Sequence, residues 1–222
     1  LVDLLFRSNT STSAVRLVLT TLLVMAGVAQ GATVLDFTGQ GGNLTLIPQS
    51  YGDNLAGTPN VTVGYRVGSI ATNVTTFSDL TNWSTGYGDL VNVAFGGRFG
   101  DYAEIALTAG GGQNVRLNSF DLASFGSTQA LQTVNVLVDG LSSFNFIGSI
   151  LGGSSRSSFS PNLTGQTVTI RFGYNNENIG IDNISFDQLA PVSNNVVPEP
   201  SAILLSLTGL AAVALRCRRS AR

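Results

Sequence analysis

The side chains most often used in catalysis are scarce in this sequence. It contains no histidine and no lysine, because all eleven of its basic residues are arginines. This composition excludes a Ser-His-Asp triad, a histidine-type zinc site, a Schiff base and a phosphate-binding lysine. The single cysteine, Cys217, lies in the arginine-rich C-terminal end. The rest of the chain therefore has no cysteine nucleophile and no internal disulfide.

Carboxylates remain as candidate catalytic groups. A glycoside hydrolase needs two acids about 5–9.5 Å apart across a cleft. Asp101 and Glu104 are close in sequence, but a separation of three residues on a strand places them on opposite faces. We therefore predict no enzyme. A carboxylate-based glycoside hydrolase stays open as an alternative, and it would require two acids facing one cleft, one of them with a raised pKa.

Aromatic side chains offer a second chemistry, the stacking of a ring on the face of a sugar. Trp83, the only tryptophan, stands in a loop-like stretch with Tyr87 and Asp89. These three residues are the candidate ligand-binding residues of a carbohydrate-binding module. The alternative is that Trp83 and Tyr87 fill one end of the fold.

The elements that must position these residues are predicted to be strands. Glycine, serine, threonine and asparagine are abundant, and short β-branched or aromatic runs alternate with polar turns, a pattern typical of a sandwich or barrel. The pattern predicts an all-β antiparallel sandwich with strands at Thr33–Phe37, Asn60–Val67, Ile70–Phe77, Asp89–Phe95, Tyr102–Leu107, Asn114–Phe125, Leu131–Val138, Ser143–Ile147, Gln166–Phe172 and Gly180–Phe186. The Gly/Ser-rich stretch Gly148–Ser160 is expected to be an exposed loop, with Arg156 solvated.

Both ends of the chain have the composition of targeting segments. Arg16 precedes the apolar run Leu17–Val28, and the small residues Ala29-Gln30-Gly31-Ala32 follow it. This order predicts a signal peptide region over residues 1–31, with an N-terminal helix and cleavage near Gly31. The β-sandwich ectodomain is expected over residues 32–189, with a polar linker over residues 190–197.

The last 25 residues combine three features. The motif Pro198-Glu199-Pro200 is followed by the uncharged run Ser201–Leu215, a predicted transmembrane helix, and then by Arg216, Arg218, Arg219 and Arg222. Prolines keep Glu199 in extended chain, and the arginines are expected to stop the helix on the cytoplasmic side. The arrangement resembles the PEP-CTERM sorting signal of Gram-negative bacteria. The resemblance implies that an exosortase processes the chain near the motif.

Three body segments also resemble the jelly-roll ectodomains often found upstream of this signal. They are Trp83-x3-Tyr87-Gly88-Asp89-Leu90, Val115–Leu122 and Gly180–Phe186. Sandwich modules of this kind often hold a structural calcium ion between the first strand and the last. The resemblance therefore implies a calcium site at Asp36 and Asp182, with the alternative that Asp182 only caps a turn or accepts hydrogen bonds from backbone amides. Calcium prefers carboxylate and carbonyl oxygens.

The charge of the body excludes one class of partner. Residues 32–197 contain five arginines against eleven carboxylates, a net charge near −6, which argues against nucleic acid. The leading hypothesis is an exported, exosortase-sorted surface or extracellular-matrix protein with a structural or adhesive sandwich. The expected partners are the export machinery, the exosortase, the membrane through the C-terminal helix, and extracellular polysaccharide. A dedicated carbohydrate-binding module is the first alternative.

The sorting motif gives a direct prediction. Replacing Pro198-Glu199-Pro200 by three alanines should leave export intact but block processing, because the extended segment that carries Glu199 is lost. The unprocessed chain should then accumulate in the membrane, as read by immunoblotting of membrane and medium fractions. Release of a mature form of unchanged size from the triple mutant would contradict the assignment.

Overall fold

The computed structural model describes residues 31–69, 74–77, 80–96, 102–174 and 178–190. The predicted signal peptide, the linker beyond residue 190, the Pro-Glu-Pro motif and the helix over residues 201–215 lie outside these ranges. Within them no helix is long and apolar enough to cross a membrane. The described chain forms strands without any α-helix: β1 Thr33–Leu35, β2 Thr45–Leu46, β3 Val61–Ser69, β4 Val74–Phe77, β5 Thr81–Trp83, β6 Val93–Phe95, β7 Tyr102–Ala109, β8 Asn114–Ser124, β9 Gln129–Val138, β10 Leu141–Ile150, β11 Ser157–Phe159, β12 Leu163–Gly165, β13 Thr167–Phe172 and β14 Ile179–Leu189.

These strands form two antiparallel sheets that pack face to face. Sheet A has the order β11-β8-β14-β6-β5-β2, with β1 also pairing with β14 and β12 with β8. Sheet B has the order β10-β9-β13-β7-β3-β4. The predicted all-β antiparallel sandwich is confirmed. The first and last described strands pair, with Leu35 opposite Ile184.

Period-two alternation builds the core. Val61, Val63, Tyr65 and Val67 on β3 are buried, and the residues between them are exposed or half-buried. Strands β7, β9 and β13 of the same sheet contribute a matching inward set, and sheet A faces it with Val115, Leu117, Phe120 and Leu122. Burial of these side chains is the main favourable term, at roughly 1.5–3 kcal/mol for each large one.

The exposed loop expected over Gly148–Ser160 is corrected by the structure, which places strands at both ends of this stretch. Residues up to Ile150 continue β10, and Ser157–Phe159 form β11 against β8. The reason lies in the apolar residues of the stretch: Ile150 is fully buried, and the ring of Phe159, its one aromatic residue, stacks on Phe120 at 5.2 Å between centroids. The short strands β2, β5 and β12 were also missed, because two or three residues are too few to show an alternation.

A bulge in β14 shapes the site. Its register against β8 shifts between Asp182 and Ser185, and Asn183 has a left-handed φ of 52°. The extra residue lets Ile181 and Ile184 both face the core although they are three apart. The two polar residues between these isoleucines are the sequence signal of the bulge.

Candidate functional site

An open cleft of about 270 Å³ lies beside the β14 bulge. Its lining residues are Asp36, Thr38, Asp89, Leu90, Val91, Arg156, Asp182 and Asn183; we call it the acidic cleft. Asp36 follows β1 directly, and Asp182 lies on β14, so the pairing of the two strands brings these carboxylates to one place. The two residues implied as calcium ligands therefore line the same cleft.

Arg156 is exposed to solvent, as the sequence suggested, but it is not isolated, because it also lines the acidic cleft. Its Nη1 lies 3.5 Å from Asp89 Oδ2 and its Nε 3.3 Å from Asp121 Oδ2. The Asn183 side-chain amide also donates to Asp121 Oδ2, at 3.0 Å. Arg156 therefore pairs with both Asp89 and Asp121 but offsets only one of their two negative charges. Within the described residues no ion pair is formed by Asp36 or Asp182.

Asp182 is the most perturbed carboxyl group of the described residues. Its side chain is buried at 4% exposure, and its Oδ1 accepts the backbone N–H of Asn183 at 2.8 Å. Burial, and then the charges of Asp36 and Asp121, raise the pKa of Asp182 to about 7, against the opposing effects of that hydrogen bond and of Arg156. In the absence of a bound cation, this carboxyl group is half-protonated near neutral pH.

Trp83 and Tyr87 belong to a separate aromatic cluster with Phe95 and Phe125. Trp83 ends strand β5 and packs edge-on against both phenylalanines, with centroids at 6.0 and 5.8 Å. Tyr87 is buried and meets the same two rings at 5.9 and 5.4 Å. Asp89 lies in the acidic cleft instead. The structure thus separates Asp89 from the two aromatic residues.

The outer face of sheet B carries a polar row that sequence reasoning missed. The strand registers align Arg66, Glu104, Arg171, Asn135 and Asn145 on five adjacent strands; we call this set the arginine row. At about 4.8 Å between strands it spans about 19 Å. No single strand shows the row in its sequence, because each contributes one residue.

Glu104 is the buried carboxylate of the arginine row and lies between its two arginines. It is 3% exposed, and it lies 2.7 Å from Arg171 Nε and 3.7 Å from Arg66 Nη1. Burial lowers the pKa of Arg171, but the hydrogen bond and charge of Glu104 offset it, so the pKa is raised overall. Two guanidinium groups around one carboxylate give the row a net charge of +1.

Two tyrosines hold one flank of the row. The Arg171 guanidinium lies 5.1 Å above the ring of Tyr102, which stacks on Tyr174 at 5.1 Å between centroids. The Tyr102 ring lies over Gly68 of the neighbouring strand, where an added Cβ would come within 2.1 Å of it. Tyr102 is 4% exposed, so it positions Arg171 and offers no free ring face to a sugar.

The carboxylates of the acidic cleft allow two chemical interpretations, a cation site and the active site of a hydrolase. Among the described residues, no three His, Cys, Asp or Glu side chains cluster as a metal site would require, so a cation would need carbonyl oxygens as well. Asp36 and Asp182 meet the requirement set for a hydrolase, two acids facing one cleft with one pKa raised. Against catalysis, Asp182 is nearly inaccessible and already accepts a backbone N–H.

Comparisons with known proteins give only weak structural likenesses. No family model and no curated protein matches the chain. The Podospora anserina GH26-CBM35 β-(1,4)-mannanase is similar at 14% identity and a TM-score of 0.36, over 73% of this chain and 28% of the mannanase chain. Two variants of the family 29 carbohydrate-binding module CBM29-2 are similar at 13% and 14% identity and TM-scores of 0.24. They cover 57% and 62% of this chain and 92% and 99% of their own. These likenesses carry no argument about chemistry.

The raised pKa of Asp182 predicts a pH-dependent stability. A carboxyl group with a raised folded-state pKa favours folding below the unfolded value near 4, and this contribution is lost as pH rises to about 7. In chelator, Asp182→Asn should therefore unfold like wild type at pH 4. At pH 8 it should be more stable by about 2 kcal/mol, after allowance for water screening at the open cleft.

Urea denaturation of both proteins at the two pH values measures this difference. Asp36→Asn provides the comparison, because removing that charge should reduce the pH dependence without abolishing it. Equal destabilisation by Asp182→Asn at pH 4 and pH 8 would show that the carboxyl group titrates normally.

Proposed function

We propose that the chain is an exported surface or extracellular-matrix protein whose sandwich is a non-catalytic module binding acidic polysaccharide. The observation that carries the proposal is the arginine row on the outer face of sheet B. The proposal joins the structural or adhesive hypothesis to its carbohydrate-binding alternative, because a matrix protein holds polymer by binding it. Export and sorting rest on the two terminal segments of the sequence.

The position of the row suits a linear polymer. Every described strand belongs to one of the two sheets, so no third layer of described strands covers the outer face of sheet B. A span of about 19 Å matches several sugar units, and it ends at the exposed side chain of Asn145. Threonines flank the row, with Thr62, Thr108 and Thr167 in register across three strands. Guanidinium, amide and hydroxyl groups are suited to binding sugar hydroxyls and carboxylates.

The sign of the charge favours an acidic polymer. The body has a net charge near −6, yet the arginine row has a net charge of +1. Of the ten other carboxylates of the body, four gather at the acidic cleft, with Asp36, Asp89 and Asp182 lining it and Asp121 beside it. Among the described residues, the arginine row is thus the place where positive charge exceeds negative charge, and a polyanion would bind there. Arginine also binds a carboxylate through two parallel hydrogen bonds, in bidentate geometry.

Affinity electrophoresis tests the proposal. The full chain in nonionic detergent is run through native gels that contain polygalacturonate or neutral dextran. Wild type should be retarded by polygalacturonate only, and less so at high salt. Arg66→Gln should weaken the apparent affinity for polygalacturonate, read from the retardation, roughly tenfold, since a hydrogen bond to a charged group contributes ~1.5–3 kcal/mol.

Arg116→Gln is the matched control. Arg116 is half-exposed on sheet A and pairs with Asp187, so the variant makes the same charge change away from the arginine row. It should keep wild-type retardation. Equal retardation by both polymers, or equal weakening in both variants, would contradict the proposed site. If wild type released reducing ends from either polymer and Asp182→Asn did not, the result would favour the hydrolase alternative instead.

A structural calcium ion in the acidic cleft is the second candidate property. It is supported by the convergence of Asp36 and Asp182, the two lining carboxylates with which Arg156 forms no ion pair. Bound calcium would stabilise the charged form of Asp182 against burial and against the charges of Asp36 and Asp121, which together raise its pKa. It would tie the first described strand to the last.

Calcium should therefore raise the melting temperature. A ligand that binds only the folded state at one hundred times Kd stabilises by about 2.7 kcal/mol, which corresponds to roughly 5–10 °C here. Melting curves in millimolar calcium and in chelator should show this shift for wild type and for Asp89→Asn, and no shift for Asp182→Asn. Identical wild-type curves in both buffers would show that Asp182 is only a residue of the bulge.

A further inference from the structure

Strand β10 forms an edge of sheet B. It runs for ten residues, Leu141–Ile150, and among the described residues it pairs only with β9. Natural edge strands are usually blocked by charged residues, proline, β-bulges or short length, because their free N–H and C=O groups template pairing with another strand. Register shifts interrupt β10 near both of its ends but not over Phe144–Gly148. The sequence of β10 contains no charged residue and no proline. This edge therefore lacks the usual side-chain protection.

The charge of this edge points to a second copy of the chain as its partner. Between Gln129 and Ile150, which bound the β9–β10 hairpin, the only charged residue is Asp139 in the turn. The body as a whole is near −6, so two copies repel each other over most of their surfaces. Along β10 they can approach without bringing like charges together. A strongly basic partner would instead be drawn to the acidic cleft.

The apolar side chains of β10 would be covered by such a contact. Phe144 and Phe146 are half-buried and pack against Phe159 of β11, at 6.1 and 5.1 Å between ring centroids. They lie where the two sheets end together, with one side left to solvent. On the opposite face of β10, Ile147 is 66% exposed. A strand added at this edge would shield both faces.

The register of β10 limits the pairing segment. Its register against β9 shifts between Ser142 and Phe144 and again between Gly148 and Ile150. The run Phe144–Gly148 between these shifts is regular, and a regular run is what antiparallel pairing needs.

We infer that two copies of the chain associate by antiparallel pairing of Phe144–Gly148, which joins their six-stranded sheets into one continuous sheet. The phenylalanines of both copies would then close the open ends of the two sandwiches together. Asn145 ends the arginine row, so pairing would also bring the two rows edge to edge. The inference needs no polysaccharide and stands independently of the proposed binding function.

Sedimentation equilibrium of the full chain in nonionic detergent, without polysaccharide, tests the inference. Wild type should be a dimer at micromolar concentration. Asn145→Lys should weaken the dimer at least tenfold, because it places two like charges at the pairing edge. Thr62→Lys adds the same charge to an exposed position of β3 on the same face and should leave the dimer intact.

Hydrogen exchange locates the contact. Amides of Phe144–Gly148 should exchange more slowly in wild type as its concentration rises, and Asn145→Lys should remove this dependence. A monomeric wild type, or an Asn145→Lys dimer as strong as wild type, would overturn the inference. A dimer without concentration-dependent protection in β10 would also overturn it, because association would then use another segment, such as the predicted C-terminal helix.

Discussion

The pairing of β14 with its neighbours is the interaction on which the rest of this structure depends. Strand β14 pairs with β8 along most of its length, and also with β1 and β6. It therefore joins the first described strand to the middle of sheet A. Its residues Ile179, Ile181, Ile184 and Phe186 are fully buried between the sheets. Loss of this strand would expose the core and separate Asp36 from Asp182.

Close packing around β14 leaves little freedom in side-chain size. At Gly180 an added Cβ would come within 2.5 Å of Val93 and 2.9 Å of Tyr87, so only glycine fits. The same strand carries the bulge that turns Asp182 and Asn183 toward the acidic cleft. One strand thus fixes both the aromatic cluster and the carboxylates, and a shift in its register would disturb both.

Negative and positive charges lie in different places on the described body, at the acidic cleft and at the arginine row. Carboxylates gather beside the bulge, where Arg156 pairs with two of them and burial raises the pKa of Asp182. On sheet B, Glu104 holds Arg66 and Arg171 on the outer face. An ion pair of this kind is weak as a source of stability, because desolvation offsets attraction. Its consequence here is positional: two guanidinium groups are fixed in line with the amides of Asn135 and Asn145.

The sequence by itself determined the fold class and most of the strands, because alternation such as Val134, Val136 and Val138 records which face of a strand meets the core. It also determined what chemistry is absent, since no fold can supply missing histidine or lysine. The meeting of Asp36 and Asp182 in one cleft was implied by the resemblance to sandwich modules, which place the first and last strands side by side. Only the tertiary structure decided that Arg156 enters that cleft, that Tyr87 is buried away from Asp89, and that five separate strands align the arginine row. The physical reason is that alternation fixes the face on which a side chain lies, whereas its neighbours across the sheet depend on strand order and register, which are set by long-range pairing.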